Sequence, residues 1–254
     1  MISRRLFRFV FPLCLLALAP AFAPALRADD AMLAKARAFL GPENVLNSVN
    51  TLRFLGELEV VEPGATTPGS AKIEIVFSRP DRQLITATNE GQTETTALDG
   101  YDAWQRVSRA DDASGWSVTL LGPDQIKRLR ANTFENLNFY RGTETRGGRV
   151  EDRGVVTIAG VACRKLAFIH GPGIVFVRSF EEATGRLMLT ETDSGTQIRE
   201  KGEIRAGGLR FPKTIETVNI LPDGGQRIIR VNFDSVEVNP TIDPSIFAIP
   251  TLRD

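Results

Sequence analysis

The sequence predicts a mainly β protein: a strongly curved antiparallel sheet with helices covering its concave face. Three observations predict it. From Thr51 onward, apolar and polar residues alternate over many short segments, the period of a half-buried strand. Short turns separate these segments, so consecutive strands pair antiparallel as a meander. Only two helical stretches interrupt them, too few to cover both faces, and a sheet with so many strands must curl.

The leading residues differ chemically from the rest. Arg4, Arg5 and Arg8 form a positive start, and Phe9 to Ala19 is almost wholly apolar. Pro20 to Ala25 then breaks any helix and offers small residues. This is the layout of a secretory signal peptide over residues 1–28, cleaved after Ala28, with Ala25 as the alternative site. The apolar run is short for a membrane span and is interrupted by Pro12 and Pro20. Ser3-Arg4-Arg5-Leu6-Phe7 resembles a twin-arginine signal, although Arg8 stands where an apolar residue is preferred, so the export route stays open. Cys14 lacks the small preceding residue of a lipidation site. Residues 29–254 are expected to form one soluble, exported domain.

Asp29 and Asp30 precede Met32, Leu33, Ala36, Phe39 and Leu40 at helical spacing, and acids suit a helix start. Gly41-Pro42 stops or kinks this helix, and Val45, Leu46 and Val49 add a further turn. Leu52, Phe54, Leu58 and Val60 then alternate with Arg53, Glu57 and Glu59. Ile73, Ile75 and Phe77 alternate with Lys72 and Glu74 after a loop of Gly, Thr and Pro. Strands over 84–88, 93–98 and 101–109 follow, with Asp99-Gly100 as a hairpin turn. Gly122-Pro123 opens the second helix, where Ile126, Leu129, Thr133, Leu137 and Tyr140 recur at helical spacing. The remainder reads as strands over 155–159, 161–169, 174–180, 186–192, 197–205, 209–221 and 226–238.

Composition excludes several functions. Removing the leader takes four arginines, leaving 27 basic against 31 acidic side chains and a net charge of −4. Nucleic-acid binders need a positive footprint, so no nucleic acid is expected as a partner. A single histidine, His170, is no basis for a His- and Cys-rich metal site, and no calcium-loop pattern occurs. Glycine-rich phosphate loops and nucleophile elbows are absent, so neither a catalytic residue nor a cofactor is assigned. Cys163 and His170 would be a tempting nucleophile and base, but seven residues along one strand puts them on opposite faces. Glu57 with Glu59, and Glu181 with Glu182, read as solvated carboxylates.

The aromatic residues Phe54, Phe77, Trp104, Trp116, Phe176 and Phe180 are candidates to line an apolar ligand cavity, the alternative being ordinary core packing. By strand parity Leu58, Ile75, Phe77, Leu166, Phe168 and Ile229 share one apolar face. The second helix would lie on that face as a movable lid, through Leu129 and Leu137. The expected ligand-binding set is therefore Phe54, Leu58, Ile75, Phe77, Trp104, Leu129, Leu137, Phe168 and Phe176.

The C-terminal half carries a resemblance. Gly160-Val161-Ala162-Cys163-Arg164-Lys165-Leu166 leads into a strand, and Phe180-Glu181-Glu182-Ala183-Thr184-Gly185-Arg186-Leu187 forms a hairpin. Gly208-Leu209-Arg210-Phe211-Pro212-Lys213-Thr214-Ile215 follows, and Val236 to Asp243 with Phe247-Ala248-Ile249-Pro250 closes the chain. This order resembles the LolA-like outer-membrane lipoprotein-sorting family over roughly residues 155–250. The resemblance implies a half-open antiparallel barrel with helices over its mouth, holding acyl chains or another apolar ligand. It implies a non-enzymatic periplasmic carrier of a lipid or lipoprotein acyl chain, served by membrane-associated donor or acceptor proteins. The alternative is a periplasmic interaction or sensor domain with a packed barrel and no ligand, and an enzyme ranks third because fold does not fix function.

Overall fold

The computed structural model describes residues 28–65, 67–109 and 112–251. The expected signal peptide, with Cys14 and the twin-arginine segment, lies outside the described residues apart from Ala28.

Two helices open the described chain, α1 (Ala28–Leu40) and α2 (Glu43–Ser48), divided by Gly41-Pro42 as the sequence suggests. Six strands follow: β1 (Thr51–Val61), β2 (Gly69–Ser78), β3 (Arg82–Thr88), β4 (Gln92–Asp99), β5 (Asp102–Arg109) and β6 (Asp112–Leu120). The long helix α3 (Pro123–Asn138) comes next, started by Pro123 and by the Gly122 N–H, which donates to the Gln125 side chain at 3.0 Å. Nine more strands complete the chain: β7 (Arg149–Ile158), β8 (Val161–Gly171), β9 (Ile174–Glu181), β10 (Leu187–Thr192), β11 (Gln197–Lys201), β12 (Ile204–Ala206), β13 (Leu209–Phe211), β14 (Thr214–Ile220) and β15 (Gln226–Val238).

Thirteen strands form one antiparallel sheet, in the order β6-β5-β4-β3-β2-β1-β15-β14-β11-β10-β9-β8-β7. The first strand pairs with the last, Leu52 facing Val238 and Leu58 facing Val231. The sheet remains open, with β6 and β7 as its edges. Its curvature follows from what α3 touches. Asn132 and Thr133 each donate to the Gln83 side chain on β3 at 3.1 Å. Two residues further on, Glu135 binds His170 on β8 and Arg178 on β9. In sheet order β3 and β9 stand seven places apart, which would be about 34 Å if the sheet were flat. A helix is only about 10–12 Å wide, so the sheet curls around α3.

The sequence missed several features. Strand β6 was not expected, because apart from Trp116, Val118 and Leu120 its residues are small or polar. Strand β7 begins at Arg149 rather than Val155, its polar first half being held by pairing with β8. The expected strand over 209–221 is broken at Pro212, which has no N–H to give a ladder. The strand over 197–205 is broken at Gly202, whose φ of 66° suits glycine. The fragments β12 and β13 form a separate two-stranded hairpin.

Candidate functional site: a cavity between two cores

Two packed clusters lie on the inner face of the sheet. One joins Leu46 and Leu137 from the helices to Leu52, Phe54, Phe77 and Phe233. The other joins Met32, Ala36 and Ala131 to Leu166, Phe168, Phe176 and Phe180. Between them is a cavity of about 270 Å³, walled by members of both clusters and by Ile75, Ile198 and Ile215. A mouth of about 330 Å³ adjoins it beside the end of α1, and Leu40, Tyr140, Glu200 and Arg210 line both spaces. Mainly apolar walls with a few convergent polar groups are the usual form of a small-molecule site.

The strand register explains the wall. On β1 and β2, Phe54 faces Ile75 and Leu52 faces Phe77, so their side chains share the inner face. On the other flank Ile198 faces Thr217, and Glu200 faces Ile215 two residues along. Phe54 packs edge-on against Phe211 with ring centroids 5.5 Å apart, which fixes one end of the space.

The polar end is assembled by α3 and β9. The Glu135 carboxylate is buried between the His170 imidazole, 2.6 Å from its Nε2, and the Arg178 guanidinium. Burial pushes the Glu135 carboxyl up, but the Arg178 charge and the His170 and Arg178 hydrogen bonds outweigh it, so the carboxyl is held below its ordinary range. Arg178 lies 4.7 Å from the Phe168 ring centre and 5.6 Å from that of Phe176. Tyr140 stands beside it with φ of 70°, directly after Phe139 at 49°. Consecutive aromatic residues in the left-handed region are uncommon and cost free energy. Arg37 of α1 holds this corner, donating to the carbonyls of Asn138 and Phe139 at 2.8 and 2.7 Å. Burial, reinforced by the Glu200 charge, pushes the Tyr140 phenol up.

Glu200 differs from the other acids of the site. Its side chain is exposed at the mouth, with a dense surround of protein beneath it. Desolvation by that surround pushes its carboxyl up to about 7, with only the Arg178 charge opposing.

Four of the nine expected ligand residues line the cavity: Phe54, Ile75, Phe77 and Phe176. The other five are placed elsewhere. Leu58 borders a separate surface recess with Ala71 and Ala87. Trp104 is on the opposite face, because it pairs with Ala97 and packs with Val76, Leu84 and Phe247. Its indole N–H donates to the Phe247 carbonyl at 2.9 Å, so it anchors the C-terminal segment. Phe168 and Leu137 are buried within the two cores, and Leu129 is half-buried on a different flank of α3. Eight residues along a helix turn it about 80° out of line, so Leu129 and Leu137 do not form one stripe. Nor does α3 rest as a loose lid. Arg128 binds Asp193 at 2.8 Å on one side, and Arg130 binds Asp81 at 2.9 Å on the other.

The sequence also missed the polar end. Glu135, Arg178 and Glu200 lie far apart in the chain, and no local motif marks them. Cys163 and His170 do point to opposite faces: His170 meets α3, while alternation along β8 turns Cys163 outward. Among the described residues, no group of three or more His, Cys, Asp or Glu side chains could hold a metal ion. No helix among them is long and apolar enough to cross a membrane.

Comparison with known proteins bears on the fold. The chain is similar to the solved structure of a LolA superfamily protein from Nitrosomonas europaea, at 11% identity and a TM-score of 0.56, over 87% of this chain and 97% of that one. It is similar to a DUF1329 family protein from Desulfovibrio piger, at 10% identity and a TM-score of 0.55, over 86% and 96% of the two chains. No family model and no curated protein matches the sequence. The LolA-like resemblance read from the C-terminal half thus meets a shared fold over nearly the whole described chain.

Proposed function

We propose that this chain is a non-enzymatic periplasmic carrier that shelters the acyl chain of a lipid or lipoprotein. Phe54, Ile75, Phe77 and Phe176 would contact the chain, and membrane-associated proteins would load and unload it. The observation that carries this reading is the apolar cavity between the two cores, which side chains leave unfilled. Leaving such walls wet costs about 25 cal/mol for each Å², so an apolar occupant is favoured. The open volume favours this reading over a packed interaction domain. The shared fold is compatible with either, since one fold hosts many functions.

A neutral long-chain ester labelled with pyrene tests it. Saturable binding to delipidated, folded protein is expected, and mass spectrometry of the purified protein should find a copurifying acyl lipid. A folded protein that binds no ester and carries no lipid would refute the carrier reading.

A further inference from the structure

The polar groups around the cavity are unequally matched, and the mismatch bears on what its occupant carries. In the mouth the cations already have acids. Lys201 binds Glu216 at 3.0 Å, Arg210 binds Glu203 at 3.2 Å, and Arg186 lies 3.4 Å from Glu181. Within the cavity Arg178 is committed to Glu135. Of the charged groups lining the two spaces, Glu200 alone has no ion pair or side-chain hydrogen bond among the described residues; only the charge of Arg178 reaches it. It stands where cavity and mouth join, on the same wall as Ile198 and Ile215. An acyl chain in the cavity would thus bring its polar end to an unmatched carboxyl group.

We infer that Glu200 recognises the polar end of the ligand, which bears a hydrogen-bond donor without negative charge, an amine being the best match. This rests on the carrier reading and goes beyond it. A carboxylate or phosphate head would find no free cation at this level and would meet an acid instead. An ammonium or N–H head would supply the partner that Glu200 lacks, and charge-assisted hydrogen bonds are the stronger kind.

Dodecylamine and dodecanoate share one chain and differ only in the head. Each is titrated as a competitor of the neutral pyrene ester, on the wild type, on Glu200→Gln and on Glu200→Lys. In the wild type the amine should compete about tenfold better than the carboxylate, the scale of one charged hydrogen bond. The ratio should collapse in Glu200→Gln and reverse in Glu200→Lys. Equal competition in the wild type, preference for the carboxylate, failure of the amine while the ester binds, or a preference unchanged in both variants would overturn the assignment. If the ester itself does not bind, the carrier reading falls and this inference with it.

Discussion

Glu135 on α3 and Arg178 on β9 meet in a buried ion pair that fastens the inner helix to the far flank of the sheet. His170 occupies the second oxygen of the same carboxylate. Removing one partner would strand the other, because a buried charge without its counterion is costly. Glu135→Ala should therefore lower stability by about 3–5 kcal/mol, measured by urea unfolding. The double variant Glu135→Ala with Arg178→Met should recover a large part of the loss. A double variant no more stable than the single one would show that the pair does more than compensate its own burial.

Glu200 makes stability depend on pH in the direction opposite to Glu135. Its folded carboxyl is raised to about 7, so the folded state binds the extra proton between the unfolded value of about 4.5 and that point. Its contribution to stability is complete at the acid end of this window and is lost as pH rises through it. The Glu135 carboxyl is held low, so its contribution is present above the unfolded value and disappears as pH falls through the folded one. Melting temperatures of the wild type and Glu200→Gln should diverge between about pH 5 and about pH 7, the wild type losing stability relative to the variant. Parallel curves would show that Glu200 titrates as an ordinary surface acid.

Ile198 distinguishes a ligand cavity from a filled interior. It lies half-buried on the cavity wall, facing Thr217 across the β11–β14 ladder. Ile198→Phe should occupy part of the empty space, weaken binding of the neutral ester about tenfold, equivalent to ~1.4 kcal/mol, and leave the melting temperature nearly unchanged. Overpacking a filled core would instead cost about 1–3 kcal/mol. A large drop in melting temperature would indicate that the interior has no room to spare.

Cys163 is shielded in the folded protein. No part of its surface is exposed, although it sits toward the outer face of the sheet, and burial pushes its thiol up. A thiol reagent should label it slowly in the native state and quickly in denaturant, since the thiolate is the reactive form. Equal rates followed by mass spectrometry would place the sulfur at the surface.

Local pattern made much of this protein legible. Alternation along β1, β2 and β8 and the start of α3 at Pro123 could be read residue by residue, because strand and helix periods are properties of neighbouring positions. Four of the cavity-lining residues were reached that way. Pairing decided the elements that alternation hid: β6 has few apolar residues, and the β12–β13 hairpin emerges where Gly202 and Pro212 interrupt longer strands.

Parity along a strand tells which side chains share a face, but not which face curls inward. Trp104 and Phe54 look alike as buried aromatics in alternating strands. One supports the Phe247 segment outside the curve, and the other walls the cavity inside it. The sequence by itself determined the helices, most of the strands and the alternation that sorts each of those strands into two faces, because these depend on near neighbours. Only the tertiary structure decided the direction of curvature, the cavity between two cores, and the meeting of Glu135 with Arg178 beside an unmatched Glu200. Those relations join residues from different strands and helices, and they exist only once the sheet has curled around α3.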